Sequence, residues 1–298
     1  MADMLDPKVV AIPFYLTTMA LEFWSSKRNP RPGDRGFDGK DSATSITMGL
    51  GSLAIGALYG VAQIAIFTWV SGFAVLDLGA IADNAGASGW LASWVLLVLL
   101  VDFCYYWFHR LHHEVRMLWA AHVNHHSSTH YNLSTALRQT WVPMTYFPFW
   151  LWMPAVGFEP WMVLLAQAWS LIYQFWIHTE RIHRLPKPFE AVLNTPSHHR
   201  VHHGSNEVYL DKNYGGILII WDKLFGTYTP EGERVHYGLT KNIHTFNPVR
   251  AAFHEYVAMW HDMRRANGAR TKLGVLFHGP GWTPPGVATA DMESNTRG

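Results

Sequence analysis

The chain has 298 residues, 49% hydrophobic and 14% aromatic but only 15% charged, against roughly a quarter charged in an ordinary soluble domain. A net charge of +1 with neutral histidines offers no basic field for phosphates, which excludes nucleic acid as a partner. The single cysteine, Cys104, excludes an internal disulfide or a CxxC thiolate site, so any metal is held by histidine or carboxylate.

In chain order, Asp3, Asp6 and Lys8 precede a first apolar run, residues 9–24, which contains Glu22. No small-residue cleavage pattern accompanies it, and it reads as a retained anchor. Residues 46–76 contain no charge over 31 positions, more than the roughly 20 a helix needs to cross the hydrocarbon core. Residues 85–101 form a third apolar run that continues through Asp102 and the aromatic stretch 103–108 into His109. Residues 139–158 and 161–177 flank Glu159 and Pro160 and predict a hairpin of two spans, the first kinked or re-entrant at Pro143, Pro148 and Pro154.

Loop charges orient these runs, because Lys and Arg concentrate on the cytoplasmic side. Loop 25–45 carries Lys27, Arg28, Arg31, Arg35 and Lys40, and loop 109–138 carries Arg110, Arg116 and Arg138. The region after 178 begins with Arg181, Arg184 and Lys187, whereas loop 77–84 has Asp77 and Asp83 and no cation. Five spans with the N-terminus outside satisfy every loop and place the histidine-rich segments on the cytoplasmic side. From about residue 179 a polar cap is predicted, with an amphipathic helix opening at Pro248 and running to about Arg265. The tail from Gly268, rich in Gly, Pro, Thr and Asn, predicts little order. The expected architecture is an all-α, multi-span transmembrane protein with a cytoplasmic, histidine-rich di-metal cap. Residues 1–100 would be N-terminal spans, 101–250 the catalytic region and 251–298 a C-terminal helix and tail.

Eleven of the 18 histidines fall in residues 109–130 and 198–203. They form three blocks: His109 with His113; His122, His125 and His126; and His199, His202 and His203. Side chains at i, i+3 and i+4 share a helix face, so His109 and His113 can point at one metal while each later block offers a pair and a neighbour to a second. His178 ends the fifth run. Structural zinc is satisfied by four ligands, so nine imidazoles exceed one zinc. Imidazole also suits iron, and two six-coordinate irons would take about this number and keep positions open for oxygen, so a di-iron centre is the economical reading. His112 and His198 adjoin ligands but face away from them, which suits supporting roles. His183 is left open, and His130, His236, His244, His254, His261 and His278 read as ordinary surface or capping residues. Asp102 and Glu114 lie near the first block, where a carboxylate can accept the free ring N–H of a ligand. Trp169, Tyr173 and Trp176, with Phe147, Phe149, Trp150 and Trp152, either line a lipid tunnel or simply pack.

These residues resemble the fatty acid hydroxylase/sterol desaturase superfamily, which carries HxxxH, HxxHH and a second HxxHH on a membrane scaffold. The stretches 118–139, 173–180, 194–204 and 211–227 are similar to its alkylglycerol monooxygenase branch. The resemblance implies a di-iron, O2-dependent monooxygenase that hydroxylates the carbon beside the ether oxygen of an alkylglycerol, with tetrahydrobiopterin as reductant. It carries over His109, His113, His122, His125, His126, His199, His202 and His203 as ligands and Glu114 as a functional carboxylate. An acidic residue that the family often has near Thr129 and His130 is absent here. More distant members are sterol desaturases or fatty acyl and carotenoid hydroxylases that take electrons from a donor protein, cytochrome b5 or ferredoxin. The rival reading, a histidine-rich metal transporter, predicts ionisable residues at the midplane of its spans. Here the spans are clean, and the histidines lie at their ends.

Overall fold

The computed structural model describes residues 7–283. All regular structure among them is helical apart from two isolated antiparallel bridges, Leu193 to Leu218 and Gly204 to Tyr237. The first apolar run forms α1 (Pro7–Val10) and α2 (Ile12–Arg28). Glu22, the charge within that run, is buried. Its carboxylate accepts the Leu133 amide at 2.8 Å and the Thr179 hydroxyl, so it ties α2 to the residue after His178. Asp3 and Asp6 lie outside the described residues.

Asp38 starts the longest helix, α3 (Gly39–Ser71), by accepting the amides of Lys40 and Asp41 at 3.0 and 2.9 Å. Asp77 caps α4 (Leu78–Asn84) through the Ala80 amide at 2.8 Å. It is followed by α5 (Gly86–Glu114), whose 29 residues extend about 43 Å at 1.5 Å per residue. Both α3 and α5 are long and apolar enough to cross a membrane. Only 11% and 22% of their apolar windows are buried, whereas a soluble protein's core helix is mostly covered. Leu58, Val61, Trp69 and Leu91 stand exposed along them, a density of apolar surface that calls for a non-aqueous neighbour.

The chain then turns through α6 (Arg116–Trp119) and α7 (Val123–His126). Residues 139–158 are not one span: Pro143, Pro148 and Pro154 divide them into two 3-10 turns, Pro143–Thr145 and Phe147–Phe149, and α8 (Trp152–Val156). Gly157 ends this segment at φ 127°, and a Cβ there would sit 2.2 Å from the Leu76 carbonyl oxygen, so only glycine permits the approach. The hairpin's second arm is α9 (Pro160–Phe175), whose 16 residues fall short of the roughly 20 of a full crossing. Leu97, Val101, Phe108, Met153, Met162 and Val163 join α5, α8 and α9 in the main apolar core.

The cap holds α10 (Lys187–Val192), α11 (Pro196–His202), α12 (Ile220–Phe225), α13 (Pro248–Arg265) and α14 (Ala269–Phe277). The predicted amphipathic helix matches α13, whose N-cap Asn247 accepts the amides of Val249 and Arg250. The helix α14 lies where little order was expected. Its Val275 is buried with Met259 of α13 and Ala120 beside α6, so tertiary packing overrides a sequence weak in helix signals. Residues 284–298 of that tail lie outside the described residues.

Candidate metal centre

The last two turns of α5 place His109 and His113 on one face, where i and i+4 belong. His122 caps the one-turn helix α7, which carries His125 and His126. His178 follows α9, and α11 presents His199 and His202 with His203 at its C-cap. All nine rings are buried.

They form two sets. His109, His113, His122, His126 and His202 make one, and His125, His178, His199 and His203 the other; within each set the available ligand atoms lie within 4.8 Å of one another. Each set can hold a metal ion. The later blocks are not assigned whole to one centre, as the spacing suggested. The i,i+4 pairs His122/His126 and His199/His203 stay together, while His125 and His202 cross to the opposite set. Adjacent helical residues diverge by about 100°, so each short helix lies between the two sets and serves both.

Backbone carbonyls fix the tautomers. A carbonyl only accepts, so the Nδ1–H of His109 donates to Tyr214 O at 2.8 Å, that of His178 to Gln174 O at 2.7 Å and that of His202 to Lys212 O at 3.0 Å. Each of these neutral rings therefore presents an Nε2 lone pair inward. The Nε2 of His109 faces that of His122 at 3.0 Å, and the Nε2 of His178 faces those of His125 and His199 at 3.1 and 2.9 Å. The Nε2 atoms of His113 and His202 are buried without a hydrogen-bond partner. Convergent, unsatisfied lone pairs are costly alone, and a divalent cation is what such a donor set fits. Burial, reinforced by neighbouring imidazoles, holds His122, His126, His199 and His203 well below the ordinary histidine pKa, and so in the neutral form that coordinates metal.

Several buried polar residues that sequence reasoning did not single out hold the scaffold. Asp222 accepts the amides of Tyr214 and Gly215, each at 2.7 Å, and the Thr227 hydroxyl at 2.7 Å, which sets the carbonyl that orients His109. Arg138 pairs with Asp41 at 2.6 Å and donates to Ser127 at 3.1 Å. Ser128 also donates to Asp41, so α3 is fastened to the segment just after His126. Arg200 forks onto both Glu231 oxygens at 2.7 Å and bonds the Thr179 carbonyl at 3.0 Å, which links α11 to the residue after His178.

The two carboxylates expected near the first block take other partners. Asp102 accepts the amides of Ile217 and Leu218 at 2.6 and 3.0 Å and the Trp221 indole N–H at 2.9 Å, not a ligand ring N–H. Its approach depends on Gly216, where a Cβ would lie 2.8 Å from Asp102 Oδ1 and 2.7 Å from the Tyr105 ring. Glu114 pairs with Arg110 at 2.8 Å on a partly exposed surface and belongs to neither imidazole set. His112 bonds Phe108 O and Thr145, and His198 pairs with Glu190 at 3.0 Å, which keeps both beside ligand residues without joining them. His183 contacts Arg31 at 3.1 Å, away from both sets. The aromatic residues pack: Phe108 meets the rings of Tyr146, Phe149 and Trp150, and Trp169 lies against Trp94.

The fatty acid hydroxylase profile matches residues 94–227, which contain all nine convergent histidines. Residues 94–227 belong to the fatty acid hydroxylase family. The match to the hydroxylase family extends beyond the blocks. Alkylglycerol monooxygenase of Homo sapiens is 43% identical over 279 residues, 92% of this chain and 59% of that protein. Its Xenopus tropicalis counterpart is 50% identical over 192 residues, 64% of this chain and 43% of that protein. The ornithine lipid hydroxylase OlsE of Rhizobium tropici is 29% identical over 164 residues, 50% of this chain and 46% of that protein. The chain thus spans about half the length of the relatives it matches. No solved structure matches it.

Proposed function

We propose that this chain is a membrane-embedded di-iron monooxygenase that hydroxylates a lipid C–H bond, and that its substrate is the ether-linked chain of an alkylglycerol. The observation that carries the reading is the pair of imidazole sets at the end of the candidate span α5, inside the hydroxylase-family region of a chain that is 43% identical over 279 residues and 50% identical over 192 residues to two alkylglycerol monooxygenases. On this reading His109, His113, His122, His126 and His202 hold one iron, and His125, His178, His199 and His203 the other. Bound iron supplies the activation of O2 and the oxidation of the C–H bond.

The chain's own residues hold and orient. Tyr214, Gln174 and Lys212 carbonyls keep the Nδ1–H of three ligands outward and their Nε2 inward. The buried rings exclude water from the space between them. Asp102 acts by holding the 217–221 turn in place. Glu114, at the end of α5 beside His113, is proposed as a functional carboxylate that Arg110 holds in place at 2.8 Å. Exposed apolar flanks on α3 and α5 let an alkyl chain approach sideways from the bilayer without crossing water. Three passages, α2, α3 and α5, with the broken 139–177 hairpin entering and returning on one side instead of crossing twice, would put this site on the cytoplasmic side, in keeping with the Lys and Arg of its loops. Tetrahydrobiopterin is the proposed reductant, and a cytochrome b5- or ferredoxin-type donor protein is the alternative.

Hydroxylation beside the ether oxygen gives a hemiacetal that collapses to a fatty aldehyde and glycerol. The test is to incubate detergent-solubilised protein with O2 and an alkylglycerol, with and without tetrahydrobiopterin, and to measure the aldehyde. Pterin-dependent aldehyde supports substrate and reductant together. Oxidation of a sterol or fatty acyl lipid with a protein donor, and no aldehyde, would replace the ether-lipid reading with its desaturase and acyl hydroxylase alternative.

A further inference from the structure

The cap carries an amphipathic helix whose outer face is the wrong way round for water. On α13, Val249, Phe253, Val257 and Trp260 are 54%, 38%, 52% and 57% exposed. At about 100° per residue these four positions fall within an arc of about 80°. Arg250 and Arg264 are exposed on or beside the same arc, and Arg265 follows at the helix end. Both acidic residues of the helix point the other way: Glu255 and Asp262 each bond Arg116 at 2.7 Å. The outer face is therefore apolar and cationic, with no carboxylate on it.

This face is continuous with the candidate span α3. Met48 of α3 is buried with Ala251 and Ala252 of α13, and Thr44 donates to the Phe246 carbonyl at 2.7 Å. Trp141 bridges the two helices: its indole N–H donates to Met48 O at 2.9 Å, and its ring meets Phe253 edge-on at 6.3 Å. A Cβ on Gly51 would lie 2.6 Å from that indole, so the bridge requires the glycine. These contacts lie where the uncharged stretch of α3 begins, with Leu50 of that stretch exposed, and this is the level at which a span enters the headgroup layer.

We infer that α13 lies in the membrane surface, with Val249, Phe253, Val257 and Trp260 in the acyl boundary and Arg250 and Arg264 among anionic headgroups. Apolar burial and cation attraction together are what hold such a helix in place. A second copy of the chain fits less well, since two such faces would oppose arginine to arginine. The inference is independent of the lipid on which the metal centre acts.

The test uses the full chain in nanodiscs, with an environment-sensitive maleimide fluorophore on Val257→Cys. Cys104 is buried, so the unsubstituted chain reports the labelling background. In discs containing phosphatidylglycerol the probe should emit at shorter wavelength and be quenched by acyl-chain spin labels, whereas the same probe on Glu207→Cys is quenched by aqueous iodide. Arg250→Gln and Arg264→Gln should each lower the docking equilibrium by about fivefold, and phosphatidylcholine discs should mimic the pair. Iodide quenching at Val257→Cys equal to that at Glu207→Cys would overturn the inference. So would quenching that appears only when a disc holds two labelled chains, because the face would then bind a second copy.

Discussion

His125 and His126 are adjacent in the chain, yet their rings stand at 90° to one another and belong to different imidazole sets. The one-turn helix that carries them is a wall between two centres, so each residue reports on one of them. His126→Ala is expected to remove one of five nitrogens and His125→Ala one of four, each abolishing turnover and depleting one metal of the pair. His254, whose ring only caps the Ala251 carbonyl at 2.9 Å, should tolerate alanine with metal content unchanged. Metal analysis of the three purified variants checks this, and equal loss from all three would refute the assignment.

Asp222 touches no imidazole but fixes the backbone that orients His109. Asp222→Asn exchanges one acceptor for an N–H facing a backbone N–H. It is expected to lower metal affinity or activity by about 10- to 100-fold, the usual cost of losing support behind a ligand. Metal retention against a graded chelator series measures it, and retention equal to that of the unsubstituted chain would show that Tyr214 holds its position unaided.

The Asp41–Arg138 pair is almost fully buried. Asp41→Ala leaves the guanidinium uncompensated and should cost about 3–5 kcal/mol, read as a lower melting temperature in detergent. Asp41→Ala with Arg138→Met removes both charges and should recover much of that loss. A double variant no more stable than the single one would argue against a charge-burial cause.

The lowered pKa values of His122, His126, His199 and His203 arise first from burial and then from neighbouring imidazoles. Unfolded, these rings take up protons near pH 6.5, whereas folded they stay neutral well below it. The unfolded state therefore binds more protons in that interval, and stability falls as pH falls. The metal-free protein should have a flat melting temperature above about pH 7 and a steadily lower one from about pH 6.5 downward. A melting temperature unchanged between pH 7.5 and pH 5 would contradict the buried, neutral state of the rings.

Eight of the nine converging rings stand in blocks whose i, i+3 and i+4 spacing is a local property of the chain, and His178 drew notice only by ending an apolar run. The division of those rings was not legible, because it depends on where His178 and α11 arrive from distant sequence. The same holds for one of the supports: nothing local marks the Tyr214 carbonyl as the partner of His109, 105 positions away, whereas Gln174 and Lys212 lie only 4 and 10 positions from His178 and His202. Asp102 was noticed as a charge at the end of an apolar run, but its partners at 217–221 lie beyond a chain contact that only folding creates. Pro143, Pro148 and Pro154 announced the break in 139–158, whereas α14 was hidden because its order comes from packing on α13 rather than from its own residues.

The central claim is a di-iron centre held by histidines alone. Elemental analysis of the full chain, purified without chelator and paired with the His126→Ala and His125→Ala variants, tests it most directly. The account predicts about two irons per chain in the unsubstituted protein and about one in each variant. A single zinc per chain, or no stoichiometric metal, would contradict it.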